Sequence, residues 1–442
     1  MAPRRALLIS YHFPPSTEAG AQRWGAFTRV GEERGWKFDV VTSELHTQPP
    51  VAEGVYRVAT GRHWINRSTD ILVRWKNRLR MFPSPVKTMG GGTIGRQVRR
   101  RAEISFPRSF GDLRRNVRAL LRYTEALPWM SGAKRTAINL AKINSYDVII
   151  ASGPPHMSAE AARVAATLAG KSLVLDFRDP WSLGDIIQDE VASWVHLKLA
   201  SRLEGRVVGA ARLVVMNTPR AAQMMRRAYP TTDIIAVPNG FNGDRPTARH
   251  PHDKFIAMFT GEIYIDRDPR PVLSAIAQIA GELGLTAQNF EMRFIGPSLT
   301  FGGLMPEQLA DAAGVPFGLV TSHPAIPRTV LFEKMEAAAL LVNLPQGESN
   351  SVPSKVYEYL HFPAWVLGLE PAGTATHDVL AKAGADVRRP DDVLGIAEII
   401  KGHIQDFRAG VRPVALAGID EFRGSTEATR FFDAVEERLP PA

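Results

Sequence analysis

The sequence predicts an α/β protein made of two successive halves, each a parallel sheet flanked by helices. Three observations carry this. Short apolar runs rich in Val, Ile and Leu alternate with helical patterns along most of the chain, and strands alternating with helices imply parallel pairing. The runs end in loops dense in Pro, Gly and Asn, which punctuate such units. A polar, His- and Pro-containing stretch, TARHPHDK, interrupts the alternation near mid-chain, and 442 residues suffice for two full cores. The expected division is 1–243, with a basic insert over about 53–142, then 244–420, and a last helix in 421–442.

The elements follow in order. RRALLIS is a short buried strand. It runs into Tyr11-His12 without a small-residue cleavage site, so it reads as a strand and not as a signal peptide. The loop YHFPPSTEAGAQRW leads to a helix over 21–34, stopped by Gly35. KFDVVTS is the second strand and completes a βαβ unit. Helices are expected at 71–79, 113–121 and 131–143 within the basic region. YDVIIASGPPHMSAEAARVAATLAGKSLVLDFRDPW reads as strand, turn, amphipathic helix, strand and charged loop. ARLVVMNTPRAAQMMRRAYP adds a strand and a helix, and IIAVPNGFNGDRP ends a strand in a turn.

The second half repeats the alternation. Strands are expected in FIAMFTGEI, FEMRFIGPS, FGLVTSHPAI, ALLVNLP, AWVLGLE and ADVRR. Helices are expected at 271–283, 330–338, 354–361, 376–383 and 393–405, and GSTEATRFFDAVEERLPPA is a last amphipathic helix. No short-period repeat of the solenoid kind occurs.

Composition narrows the chemistry. There is no cysteine, which excludes disulfides, cysteine nucleophiles and thiolate metal sites and fits a reducing compartment. The eleven histidines show no zinc spacing, and no G-x-S-x-G elbow occurs. MGGGTIG lacks the Gly-Lys-Ser/Thr of a phosphate-binding P-loop and reads as linker. No apolar stretch approaches the roughly 18 residues of a membrane span. The net charge of +9 is concentrated between Arg57 and Arg135, where 19 Lys or Arg face 4 Asp or Glu. Arg74, Lys76, Arg78 and Arg80 there alternate with Leu72, Trp75, Leu79 and Phe82. That mixture suits peripheral contact with an anionic membrane surface better than nucleic acid. A solvated face is the plain alternative.

Ligands in open α/β sheets sit at the carboxyl ends of the strands, so candidate residues are sought there. Gly20 precedes the first helix, where backbone can approach a ligand closely. DFRDPW groups Asp176, Arg178, Asp179 and Trp181 after an apolar strand, either as a salt-bridged loop or as a polar-ligand site. Gly261 ends a strand, and Arg267 stands in the loop before the next helix. Asp266 and Asp268 form a D-x-D pattern too common to assign a metal. NSVPSKVYEYL starts a helix after Pro353 and places Glu358 just inside its first turn. Pro at the helix start and an acidic residue beside the positive dipole end are also ordinary structural choices. The alternative is a ligand site: a helix start attracts phosphate, and Ser354 and Glu358, four apart, share a face.

Taken in order, these stretches resemble the GT-B glycosyltransferases of family 4, particularly the branch that assembles bacterial polysaccharides. The resemblance rests on YHFPPSTEAGAQRW, YDVIIASGPPHMSA with LDFRDPW, VPNGFN, GEIYIDRDPRPVLSAI and VPSKVYEYL. It implies two Rossmann-like domains facing across a cleft, with a last helix crossing back to the first. The second domain would bind a nucleoside-diphosphate sugar and the first a glycan or lipid-linked acceptor. Glu358 falls where the family contacts ribose, Ser354 and Lys355 at the phosphate-binding helix tip, and Arg267 and Gly261 beside the diphosphate. Ile326 lies where the nucleobase would sit. Asp179 or His12 would orient or deprotonate the acceptor hydroxyl, with Gly20 and Arg178 beside it. The chain differs from many members at Asn350, Glu262 and Asn242. The implied chemistry is retaining transfer in the cytoplasm, peripheral on the inner membrane face, with no metal and no cofactor. Alternatives are a sugar-nucleotide epimerase or hydrolase of the same fold, or a non-catalytic scaffold.

Overall fold

A computed structural model of the chain describes residues 3–16, 18–44, 52–59, 98–101, 104, 116, 127–184, 186–188, 193–243, 245–247, 253–264, 267–345, 347, 349–416 and 419–440. The helices expected at 71–79 and 113–121, and most of the basic region, lie outside the described residues. So do Asp266 and the residues Arg74, Lys76, Arg78 and Arg80, which the sequence suggests for membrane contact.

The first half contains β1 (Arg5–Ser10), α1 (Ala19–Glu33), β2 (Lys37–Ser43), β3 (Val55–Val58), β4 (Val98–Arg100), α2 (Leu127–Ile143), β5 (Val148–Gly153), α3 (Ser158–Ala169), β6 (Ser172–Phe177), β7 (Ile186–Gln188), α4 (Trp194–Ala210), β8 (Leu213–Met216), α5 (Pro219–Ala228) and β9 (Ile234–Ala236). Among the described residues, seven strands form one sheet in the order β3-β2-β1-β5-β6-β8-β9, and every pair in it is parallel. Leu8 lies between Val40 and Ile150 in register. The central strands are apolar on both faces because helices cover both. The short strands β4 and β7 pair antiparallel beside this sheet. Helix α2 begins at Leu127, four residues before the expected start, since Pro128 is well tolerated in a first helical turn.

The second half contains β10 (Phe255–Thr260), α6 (Arg270–Ala280), β11 (Phe290–Ile295), α7 (Pro306–Ala312), β12 (Val320–His323), α8 (Arg328–Glu336), β13 (Leu340–Asn343), α9 (Ser354–His361), β14 (Trp365–Leu369), α10 (Ala375–Lys382), β15 (Asp386–Arg388) and α11 (Val393–Arg408). Six strands form a second parallel sheet, ordered β12-β11-β10-β13-β14-β15. Strand order reverses beside β10, as it does beside β1, and such switch points open a crevice at the strand ends. Helix α8 starts at Arg328, two residues before the expected position. Pro327 precedes it with φ −54, so the turn closes at once after the proline.

The last helix, α12 (Gly424–Arg438), packs on the first half. Phe431 meets Trp24 edge-on at 5.5 Å, and Phe432 lies 5.5 Å from Trp36. The Trp36 indole N–H donates to Glu436 at 2.8 Å. The chain passes between the halves at one place, where outgoing and returning backbones touch. Phe241 N–H donates to Phe422 O, and Gly424 N–H donates to Phe241 O, each at 2.8 Å. A Cβ on Gly240 would lie 2.4 Å from Gly424 N, so only glycine admits this crossing.

Candidate active site

On the second domain, β10 delivers Gly261 at its carboxyl end with φ 115, a conformation suited to glycine. A Cβ there would lie 3.7 Å from Lys355 Nζ and 3.8 Å from Arg267 Nη1. Three of the expected donor-side residues therefore converge on one point. Lys355, in the first turn of α9, donates from Nζ to the Thr260 carbonyl at 3.1 Å and sits 3.9 Å from the Phe259 ring centre. Burial pulls its pKa well below the usual lysine value, and neighbouring Arg267 pulls it further. Arg267 stacks on Tyr264 at 4.4 Å and donates once, to Glu262 O at 3.1 Å. Its Nε is buried without a hydrogen-bond partner. Two neighbouring cations with an orphaned N–H form a site that an anion would satisfy.

Glu358 lies in the second turn of α9, not the first, because the helix begins at Ser354. The helix dipole, which fades within a turn, therefore does not explain it. Its Oε1 accepts from Arg328 Nη2 at 2.7 Å. Burial pushes its pKa up while Arg328 and Lys355 pull it back. Ser354 and Glu358 do share a face: with Arg328 they line a small cavity against Ala19, Gln22 and Arg23 of α1. Ile326 stands two residues before Arg328 and packs, partly buried, on the apolar cluster around Met335 and Tyr359. Asp268 of the D-x-D pattern clasps Arg270 at 2.7 Å, and Asp266 lies outside the described residues.

The DFRDPW segment, whose first two residues end β6 and whose rest forms the loop after it, divides between both readings given to it. Asp176 is a brace: it holds Arg23 at 2.9 Å and 3.1 Å and the Trp24 indole N–H at 2.9 Å, and both partners of the ion pair are almost fully buried. Arg178 and Asp179 face the other way. Arg178 fills the space beside Gly20, where a Cβ would lie 2.8 Å from its Nη2. The close approach expected of Gly20 is thus made by this guanidinium. Arg178 donates to Pro154 O at 2.9 Å, and its Nε is buried and unpartnered. His12 is near enough to Arg178 and Glu18 to feel both, and burial lowers its pKa. Asp179 keeps partial access yet is closely surrounded, so its carboxyl is raised by burial while Arg178 and a hydrogen bond to Ser351 lower it. Ser351 belongs to the second domain, so this influence crosses the gap. Thr218 Oγ1 also donates across the gap, to Asn350 O at 2.5 Å.

Four residues of this region carried no weight in the sequence. Arg328 and Asn343 are undistinguished by pattern. Glu370 ends the apolar strand run AWVLGLE, and a carboxylate in that place was a usable signal. His156 stacks on Trp181 with centres 5.3 Å apart, and its Nε2 meets the Asp179 carbonyl at 2.8 Å. Burial lowers its pKa to about 4, so the ring is neutral at ordinary pH and Nε2 carries the donated proton.

No protein-family model and no curated protein sequence matches the chain. Solved structures do. Sucrose-phosphate synthase from Thermosynechococcus elongatus is 14% identical, with 98% of each chain covered and a TM-score of 0.63. Anabaena HepE, solved with UDP and glucose, is 13% identical over 98% of this chain and 100% of its own, with a TM-score of 0.58. A UDP-N-acetylglucosamine 2-epimerase assigned in Listeria monocytogenes is 11% identical over 98% and 96%, with a TM-score of 0.50. The chain has the GT-B fold: two α/β domains with parallel sheets, joined by a narrow crossing. Among the described residues, no helix is long and apolar enough to cross a membrane.

Proposed function

We propose that the chain is a glycosyltransferase that moves a sugar from a nucleoside-diphosphate sugar to a glycan or lipid-linked acceptor in surface polysaccharide assembly. The observation that carries this is the convergence of Arg267 and Lys355 on Gly261, with the Arg267 Nε–H buried and unpartnered. As the glycosidic bond breaks, negative charge grows on the leaving diphosphate. Arg267, Lys355 and the start of α9 would stabilise it. Glu358, held by Arg328, would accept hydrogen bonds from ribose hydroxyls. Asp179 and His12 would orient or deprotonate the acceptor hydroxyl from the first domain, with Arg178 and Gly20 beside them. Ile326 would border the nucleobase. The proposed outcome at the anomeric carbon is retention, without a metal ion. The proposed place of work is the cytoplasmic membrane face, reached through the basic insert.

The test is a thermal-shift screen against UDP, GDP, ADP and their sugars. A cognate nucleotide at 100 times its Kd should raise stability by about 2.7 kcal/mol, and Arg267→Ala should abolish the shift. The absence of any shift across the screen would overturn the proposal. Conversion of the sugar nucleotide to its epimer without an acceptor would replace transfer by epimerisation.

A further inference from the structure

We infer that Glu370 is a titrating counter-ion of the phosphate site, which balances Lys355 and Arg267 in the free protein at alkaline pH and takes up a proton when a diphosphate binds beside them. The inference rests on the donor-site reading above and adds a group to it. Glu370 follows β14 directly and is 1% exposed. One carboxyl oxygen, Oε1, accepts from Asn343 Nδ2 of the neighbouring strand at 3.0 Å. The other, Oε2, is buried with no partner, as is Asn343 Oδ1. The Glu370 backbone N–H is occupied, donating to Arg388 O at 2.8 Å. The carboxyl therefore has one oxygen fixed and one free to carry a proton.

The groups that face Glu370 come from several elements. Asn343 approaches from β13, Thr374 from the turn before α10, Lys355 from α9 and Arg267 from the loop before α6. Burial pushes the carboxyl up to about 8, against the pull of all four. The influence is mutual: Glu370 opposes the burial and the Arg267 repulsion that depress Lys355, and Glu358 assists from within α9. Above about pH 8 the carboxyl is ionised and partly neutralises the two buried cations. A diphosphate arriving there supplies the missing negative charge. Two anions then compete for the same cations, and the buried one is the costlier to keep ionised. A proton from solvent goes to Glu370 and forms its O–H bond; no other covalent bond forms or breaks.

The sign follows from linkage. A bound diphosphate raises the proton affinity of both Glu370 and Lys355, so binding takes protons up and weakens as pH rises. Lys355 is separated from Glu370 by Lys355→Arg, which keeps the charge and removes the titration. The experiment is calorimetry of UDP, GDP and ADP binding near pH 8 in two buffers of different ionisation enthalpy, with affinities measured at pH 7 and 9. Wild type is expected to take up protons on binding, and its affinity should fall by up to about tenfold over that range. Lys355→Arg should retain both effects, and Lys355→Arg with Glu370→Gln should lose both. Wild-type binding without proton uptake overturns the inference and needs no variant. Retention of uptake in the double variant, or its loss in Lys355→Arg alone, overturns it as well. If instead Arg267→Ala binds all three nucleotides as tightly as wild type at pH 7, the donor-site reading itself has failed.

Discussion

Arg23 and Arg267 occupy matching places, one in the helix after β1 and the other in the loop after β10, and they differ in how far they are satisfied. Arg23 spends its guanidinium on Asp176 twice and on Pro238 O at 2.7 Å, with the Phe27 ring 4.3 Å away. Arg267 donates once and keeps a buried nitrogen unpartnered. Buried charge is tolerable when paired and costly when not. The first arginine therefore reads as framework and the second as a waiting binding group. The same contrast separates Asp176, near the end of β6, from Asp179 in the loop that follows.

The contrast can be broken by mutation, beginning with the largest effect. Asp176→Ala strands Arg23 in the core and should cost about 3–5 kcal/mol in urea unfolding. Nucleotide affinity per folded molecule should barely change. Arg267→Ala should do the reverse: about a hundredfold loss of nucleotide affinity or turnover, with a nearly unchanged unfolding midpoint. If the two variants exchange phenotypes, framework and binding group have been misassigned.

His156 sharpens the picture on the first domain. Its folded-state pKa of about 4 lies below the ordinary value of 6.5, so the unfolded chain binds the proton more readily. Stability from this group is complete above about pH 6.5 and is lost as pH falls towards 4, by roughly 1–3 kcal/mol. Urea unfolding at pH 7 and 4.5 should show a smaller acid loss in His156→Asn than in wild type. An equal loss in both would mean that the ring is not held neutral. The smallest effect belongs to Glu358→Gln, which keeps the shape and removes the charge that Arg328 pairs. About a tenfold loss in donor binding is expected, read as a change in KM for the sugar nucleotide.

Much of the fold was legible because parallel strands buried on both faces must be apolar throughout, and runs such as VIIASG and FIAMFT declare themselves. Helix α9 was legible to the residue, since Pro353 fixes its start. The junction tips were legible as places, and Gly261, Arg267 and Lys355 do meet. Their partners were harder to see. By sequence Glu358 reads either as a dipole partner or as a ligand contact, and neither reading shows the arginine from a different helix that holds it. Gly20 was assigned to a ligand approach, whereas Arg178 occupies that space.

The sequence by itself determined the alternation of strands and helices, the loops that carry polar residues and the lack of thiol chemistry. Those properties follow from local pattern and composition. Only the tertiary structure decided which charges are spent and which remain available. Asp176 and Asp179 are three positions apart, one near the end of β6 and the other in the loop after it. One meets Arg23 across the core, the other faces Ser351 of the second domain. Electrostatic satisfaction depends on distance and burial in space, and residues 153 positions apart in the chain, as Arg23 and Asp176 are, settle it only when the chain is folded.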